Sequence, residues 1–391
     1  MVKNIISDMK RVVIVFTTLL CIFDVCWAIW MLFGGGVQIN WPTTNLPALS
    51  FIDIKLSQMT LREKISSLLI LHTPGTDVSV LKDYLSKYQP GGLIFMVDNI
   101  PGTTDELKSL TQSLQNNKSL PYLFAVDEEG GIVKRLPQDD FAAAIELKNQ
   151  PISATQGAFK SRSLLLQQSG LNLNFGIVAD VTADQNSFIY PRVFGGDLTQ
   201  AGERVSAAVT ASKGITLSTL KHFPGHGESE ADSHNSIPTT DISLSQWQLR
   251  DMIPFKMGVD TGADVVMFGH LIYSSIDDAP ASLSLKWHDI LKNSLGFKGM
   301  TVTDDMIMLQ NSGVDEFSNP INNAIRALNA GNTMLLYVLG PDNSVSGVNV
   351  DDLIDGIVKS VIDGDLKLSL INQNARKVIE VKRALNKRGS P

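Results

Sequence analysis

Gly299-Met300-Thr301-Val302-Thr303 runs straight into Asp304-Asp305. It is a short, mostly apolar stretch that opens on a glycine and stops at two carboxylates. Seven further runs of this kind occupy residues 68–71, 92–97, 122–126, 173–179, 215–220, 263–269 and 333–339. All but the last are followed directly by polar groups: His72, Asp98-Asn99, Asp127, Asp180, Lys221-His222 and His270. Short apolar runs without alternation suit parallel strands buried on both faces. The helix-like stretches between them imply right-handed crossovers. Eight such units predict an α/β chain folded as a (β/α)8 TIM barrel, not an open doubly wound sheet. In a barrel the C-terminal strand ends share one mouth, which is where such folds do chemistry. A single strand-end Asp is ordinarily a helix cap or a turn residue. Polar groups at seven successive strand ends are better read as lining that mouth.

The rest of the composition agrees. The 391 residues are 43% hydrophobic, and a barrel needs ~250 to 400 residues. There are 33 Lys+Arg against 40 Asp+Glu, a net charge of −7. No basic cluster lies in the body of the chain, which argues against a nucleic-acid partner. Low-complexity tracts and recurring repeats are absent.

The N-terminus is the compositional exception. Residues 12–33 are mostly apolar, preceded by Lys10 and Arg11 and interrupted only by Asp24. That is long enough to span a bilayer, and the basic flank would stay cytoplasmic. A buried core helix fits less well, because the segment is apolar all round and ends at Gly34-Gly35-Gly36. A cleaved signal peptide competes, with Cys26-Trp27-Ala28 as a small-x-small site. The division expected is therefore a cytoplasmic stub plus signal-anchor or signal peptide over 1–36, a linker over 37–50 and one barrel domain over 51–391. The barrel is expected outside the cytoplasm, anchored to the membrane through residues 12–33 or secreted. Cys21 and Cys26 are the only cysteines, so the exported body has neither a disulfide nor a cysteine-based metal site. Thr60 with Glu63 reads as a capping box. Residues 370–386 read as an amphipathic helix on the barrel exterior, with Ile371, Ala375, Val378, Ile379, Val381 and Leu385 on its apolar face.

The stretch richest in chemistry is Lys221-His222-Phe223-Pro224-Gly225-His226-Gly227, followed by Asp232-Ser233-His234. It holds three of the six histidines. His222 and His226 are four apart, but Pro224 and Gly225 between them prevent one helix face from presenting both. No cysteine is near and no Glu follows His222, so neither zinc nor any other metal or cofactor is expected. Asp232 and His234 are two apart, so in extended backbone they point the same way. The carboxylate can then fix the imidazole tautomer and support its protonated form, giving an acid/base unit near neutral pH. Taken alone, the pair reads more simply as a chance Asp and His on a surface loop.

Lys221 to Gly227, then Asp232-Ser233-His234 and Pro238, resembles the K-H-F-P-G-H-G…D-S-H…P pattern of glycoside hydrolase family 3, in its single-domain β-N-acetylglucosaminidase branch. The resemblance covers residues 45–387. It includes Met59-Thr60-Leu61-Arg62-Glu63-Lys64, Val126-Asp127-Glu128-Glu129-Gly130-Gly131 and Pro191-Arg192-Val193-Phe194-Gly195. It ends with Leu295-Gly296-Phe297-Lys298-Gly299 and Thr303-Asp304-Asp305-Met306. It implies a retaining hydrolase that releases N-acetylglucosamine from peptidoglycan-derived or related glycosides, acting as a monomer. Asp304 would be the nucleophile forming a covalent glycosyl-enzyme, His234 the acid/base and Asp232 its partner. Asp127, Arg135, Arg192, Lys221 and His222 would bind the sugar, with His226, His270 and Asp305 in support. Asp305 is the candidate for helix capping. Ile132 stands where the family usually has Arg, and is expected to alter the charge balance around Glu128 and Glu129.

Two other readings compete. In a phosphorylase, phosphate instead of water would attack the glycosyl-Asp304 intermediate; a neutral histidine repels it less than a carboxylate would. A non-catalytic, membrane-tethered sugar-binding barrel would be expected to have lost Asp304, Asp232 or His234, and all three are present.

Overall fold

The computed structural model describes residues 50–115, 119–227, 236–339 and 347–388. Residues 12–33, the linker to residue 49, and Asp232, Ser233 and His234 lie outside the described residues. Among the described residues no helix is long and apolar enough to cross a membrane.

Each apolar run of the sequence holds one strand. They are β1 Leu69–Leu71, β2 Gly92–Phe95, β3 Leu123–Val126, β4 Leu173–Val178, β5 Leu217–Phe223, β6 Val265–Phe268, β7 Met300–Asp305 and β8 Met334–Tyr337. They close in the order β1-β8-β7-β6-β5-β4-β3-β2, all parallel. Ile70 opposite Gly92 and Leu69 opposite Leu335 join β1 to both neighbours and seal the ring. β1 to β6 and β8 are buried along their whole length. This is why they read as continuous apolar runs: side chains on one face fill the barrel and those on the other meet the helices. β7 is buried as far as Thr303 and emerges at Asp304 and Asp305.

The helices begin where local chemistry permits. Thr60 and Glu63 form the capping box read from the sequence: the Glu63 N–H donates to Thr60 Oγ1, and Glu63 Oε2 accepts from the Thr60 N–H at 2.7 Å. A second box, Ser50 with Asp53, starts the helix Phe51–Gln58. The C-terminal helix, Leu368–Arg388, packs on these two helices. It buries Ile371, Ala375, Val378, Ile379 and Leu385, while Val381 is only half-buried. It also largely buries Lys382, which stands on the same face, one turn after Val378.

Two short strands unseen in the sequence, Thr239–Thr240 and Ile272–Tyr273, pair in parallel beyond the mouth. Below them lies an aromatic cluster. Phe223 meets Trp247, Phe255, Phe268 and Trp287 edge-on, with ring centroids 5.0 to 5.9 Å apart. Such contacts add to the burial of large apolar area and fix the end of β5.

Candidate active site

The ends of β3 and β5 are joined by ion pairs. Lys221, buried on β5, donates to Asp127 Oδ1 at 2.9 Å and lies 2.6 Å from Glu129 Oε1. Arg192, from the short helical turn Tyr190–Arg192 after β4, forks onto Glu129 with Nε to Oε2 at 2.9 Å and Nη2 to Oε1 at 2.7 Å. The planar fork matches the carboxylate, which makes this pair directional. Burial alone would raise the Glu129 carboxyl, but Lys221 and Arg192 together hold it at about 2. Arg135 turns Nη2 toward Asp127 Oδ2 across 3.7 Å, and among the described residues its Nε has no hydrogen-bond partner. Arg135 therefore keeps donors available beside a carboxylate at the mouth.

Asp180, at the end of β4, organises the next turn of chain. Its carboxylate accepts from the backbone N–H of His222 at 3.2 Å and of His226 at 2.7 Å, and contacts His222 Nδ1 at 2.7 Å. Arg192 Nη2 lies 3.1 Å from His222 Nε2. A guanidinium can only donate, so Nε2 must accept, and the ring proton sits on Nδ1 facing Asp180. The 222–227 turn is clamped from below: Trp247 Nε1 donates to the Pro224 carbonyl at 2.8 Å and Tyr273 Oη to that of Gly225 at 2.6 Å. Two glycines are required here. Gly225 has φ +134°, and a β-carbon on Gly227 would fall 1.7 Å from the Val181 carbonyl oxygen. The His226 ring is buried against Phe188, with centroids 4.5 Å apart, and among the described residues neither ring nitrogen has a partner. Burial pushes that imidazole down to about 4. His226 therefore supports the turn as a neutral packed ring.

β6 and β7 supply the last elements. His270 Nε2 meets the Asp305 carbonyl at 2.9 Å, so it donates, and Nδ1 faces Ser282 Oγ at 2.7 Å. Capping falls to Asp305, whose Oδ1 accepts from the N–H of Ile307 at 3.1 Å and of Val338 at 3.0 Å. Burial pushes Asp305 up to about 7, against the pull of those two N–H groups. Asp304 is partly exposed at the mouth, and among the described residues its Oδ1 accepts from the adjacent Asp305 N–H at 2.8 Å. Burial raises its carboxyl, but His222 and His270 in their protonated forms, that N–H and Lys221 outweigh it and pull it below the ordinary carboxylate range. His222 lowers it most if doubly protonated. With His222 Nε2 accepting from Arg192, the N–H and the Lys221 ammonium supply the pull.

Asp127, Arg135, Arg192, Lys221, His222, His270, Asp304 and Asp305 thus meet around one mouth. The polar groups after β1 and β2 do not join them. His72 bonds to the Leu339 carbonyl and to Asp98, and Asn99 donates to the Thr73 and Gly75 carbonyls at 2.8 Å, so these residues brace loops. Ile132 is 69% exposed, at the tight turn where Gly130 pairs with Val133. Glu129 gets its cations from β5 and the post-β4 turn. Glu128 accepts from the N–H groups of Arg135 and Leu136 at 2.9 and 3.0 Å, and burial raises its carboxyl. Glu129 and Asp180 are the residues that sequence reasoning left out of the site. The carboxylate run Asp127-Glu128-Glu129 and the strand-end position of Asp180 were the available signals. Among the described residues no cluster of three or more His, Cys, Asp or Glu is arranged to hold a metal ion.

Comparisons with known proteins converge on this architecture. The family model described as Glycosyl hydrolase family 3 N terminal domain matches residues 60–381. A beta-hexosaminidase of Nitrosomonas eutropha is 32% identical over 266 residues, covering 65% of this chain and 75% of that protein. The solved beta-N-acetylhexosaminidase of Beutenbergia cavernae superposes with a TM-score of 0.71 at 25% identity, over 83% of this chain and 98% of the other. A glycoside hydrolase family 3 beta-N-acetylglucosaminidase from a Paenibacillus species gives a TM-score of 0.76 at 23% identity, over 84% of this chain. This chain spans 63% of that longer protein.

Proposed function

The chain belongs to glycosyl hydrolase family 3, and on that premise we propose that it is a retaining β-N-acetylglucosaminidase with Asp304 as nucleophile. The observation that carries this reading is the separation of roles at the end of β7: Asp305 takes the capping bonds, and the Asp304 carboxylate takes none of them and is held ionised at the mouth. A carboxylate so placed can attack the anomeric carbon. The bond from that carbon to the leaving oxygen breaks, and the leaving oxygen takes a proton from His234. Water then attacks the glycosyl-Asp304 ester, His234 takes back a proton, and the sugar leaves with retained configuration. Asp232 keeps the His234 ring in the required tautomer. Asp127, Arg135, Lys221 and His222 bind the sugar hydroxyls, and Arg192 holds Glu129 and His222 in place. The names of the relatives support an N-acetylglucosaminide substrate. Peptidoglycan fragments are the substrate that best fits an enzyme held outside the cytoplasm by residues 12–33, or released there.

The test uses His234→Ala. A dinitrophenyl N-acetylglucosaminide barely needs a proton on its leaving group, so glycosylation of the variant should stay fast with it and become slow with a natural disaccharide. The second step has also lost its base, so a glycosyl-enzyme should accumulate, be visible by intact mass and map to Asp304, with azide speeding its breakdown. Equal slowing of both substrates with no trapped intermediate would remove His234 as the acid/base. Sugar-1-phosphate formation in phosphate buffer would turn the reading to a phosphorylase.

A further inference from the structure

The N-terminal ends of β1, β2 and β3 face away from Asp304, and beneath them lies a cavity of about 470 Å³. It opens to solvent between the helices Phe51–Gln58, Leu61–Ser66, Val78–Tyr88 and Leu368–Arg388 and the segments entering β2 and β3. Lys382 projects into it from the C-terminal helix. That side chain belongs to a residue only 8% exposed, and its Nζ lies 5.2 Å from the centroid of the Tyr122 ring, which lines the same cavity. Among the described residues no hydrogen bond or ion pair reaches the Lys382 ammonium. The ammonium meets the pocket and an aromatic face, which compensates its charge only partly, so an anion that reaches it there can form a charge-assisted hydrogen bond.

The other charges of the cavity do not supply the missing partner. Its one carboxylate, Glu63, is committed to Thr60, with Oε2 at 2.7 Å from the backbone nitrogen and 2.8 Å from Oγ1. The bonds to the Thr60 N–H and hydroxyl, with Lys55 nearby, hold Glu63 below its ordinary range. Lys55 and Glu63 therefore offset one another, and Lys382 remains one unmatched positive charge. The walls are mixed: Met59, Leu120, Val378 and Ile379 form an apolar side, and Ser67, Ser86 and Gln89 a polar one. The volume falls in the range of small-molecule sites, which are mostly apolar with a few polar groups fixing orientation.

We propose that this cavity binds a small organic monocarboxylate, its carboxylate on Lys382 and its apolar body against Met59, Leu120, Val378 and Ile379. A single negative charge matches the single unmatched cation. A dianion would leave its second charge facing Glu63. Burial pushes the Lys382 ammonium down to about 7, and an anionic ligand pulls it back up by favouring the charged form. The site is separate from the mouth by the length of the barrel, so its occupant is neither substrate nor product.

The experiment is calorimetric titration of the full chain with octanoate, beside uncharged octanamide and inorganic phosphate. Saturable binding of one octanoate is expected, roughly tenfold or more tighter than octanamide, the scale of one buried charge-assisted hydrogen bond. Phosphate should not bind. Lys382→Met preserves length and removes a buried charge, so it should fold and lose octanoate affinity by a similar factor. A readout on the unmodified chain stands beside it: octanoate should slow acetylation of Lys382, followed by mass spectrometry, while Lys55 at the rim is less protected. Octanoate should leave the KM for an aryl N-acetylglucosaminide unchanged. The proposal is overturned by any one of these results: no saturation by octanoate, equal binding of octanamide or of folded Lys382→Met, phosphate binding in its place, competition with substrate, or no protection of Lys382.

Discussion

Asp304 and Asp305 are adjacent and chemically identical, yet their surroundings assign them different tasks. Asp305 Oδ1 takes two backbone N–H groups, whereas Asp304 faces the mouth beside Lys221. Asp304→Ala should therefore cut turnover of an aryl N-acetylglucosaminide by ~10³-fold or more, the scale of losing a nucleophile, while melting within a few degrees of wild type. Asp304→Glu should also lose about 100-fold, since ~1 Å of misplacement has that cost. A folded Asp304→Ala protein with near-normal activity would move the nucleophile elsewhere. Glu129 carries the opposite kind of prediction. It is buried between Lys221 and Arg192, so Glu129→Gln leaves two buried cations short of a partner and should destabilise by ~3 to 5 kcal/mol at pH 7. Its folded carboxyl is depressed from 4.5 to about 2. For a depressed carboxyl the stabilisation is full above the unfolded value and disappears as pH falls through the folded one. The gap between wild type and Glu129→Gln in urea unfolding should narrow from pH 4.5 toward pH 2. A gap that stays constant over that window would show that the pair is not charged in the native state.

At the scale of elements, the site depends on how strand ends are tied to their neighbours. Asp305 joins the end of β7 to the residue after β8, through the Val338 N–H at 3.0 Å. It also starts the helix Ile307–Asn311, whose own N-cap residue offers no side-chain bond. Asp305→Asn keeps an acceptor oxygen in place and should be mild. Asp305→Ala leaves two N–H groups without that acceptor, which costs ~1 to 3 kcal/mol in total. It also loosens the strand end that holds Asp304, so kcat should fall ~10- to 100-fold with little change in KM. Thermal melts and steady-state kinetics on both variants check this. Equal effects of Asn and Ala would mean that the acceptor bonds are not what positions Asp304. The turn of residues 222–227 shows the same dependence from the other side, because the aromatic cluster under β5 holds its carbonyls through Trp247 and Tyr273.

For the whole molecule, β1 pairs with β8 and closes the barrel within residues 69–337. Deleting residues 1–40 should give a soluble enzyme whose activity on an aryl N-acetylglucosaminide matches the full chain within about twofold, and whose melting temperature moves by only ~2 °C, the scale of a small change in stability. Loss of both fold and activity would assign residues 12–33 to the core and end the argument for an anchor or signal peptide. Fractionation of cells making the full chain and the truncated one separates membrane attachment from release.

Much of this molecule was legible before its structure. A strand buried on both faces must be apolar throughout, so eight such runs located eight strands to within a few residues. The polar residue that ends each run has nowhere to go but a barrel end. Capping is equally local, and Thr60 with Glu63 formed the box that their spacing implied. The pairings were not legible. Lys221 lies 94 residues from Asp127, Arg192 lies 63 from Glu129, and His222 lies 42 from Asp180. Only closure of the ring brings such partners within bonding distance, and a linear pattern carries no information about which strand ends meet. For that reason β5 runs on through Lys221 and His222 to Phe223, where the apolar run stopped at residue 220. Those two polar side chains are buried because carboxylates from β3 and β4 are there to receive them. The same physics separates Lys382 from the other lysines of its helix: it falls at the spacing of Val378, Ile379 and Leu385, and the packing of that face against the helices beneath β1 to β3 keeps it largely out of solvent.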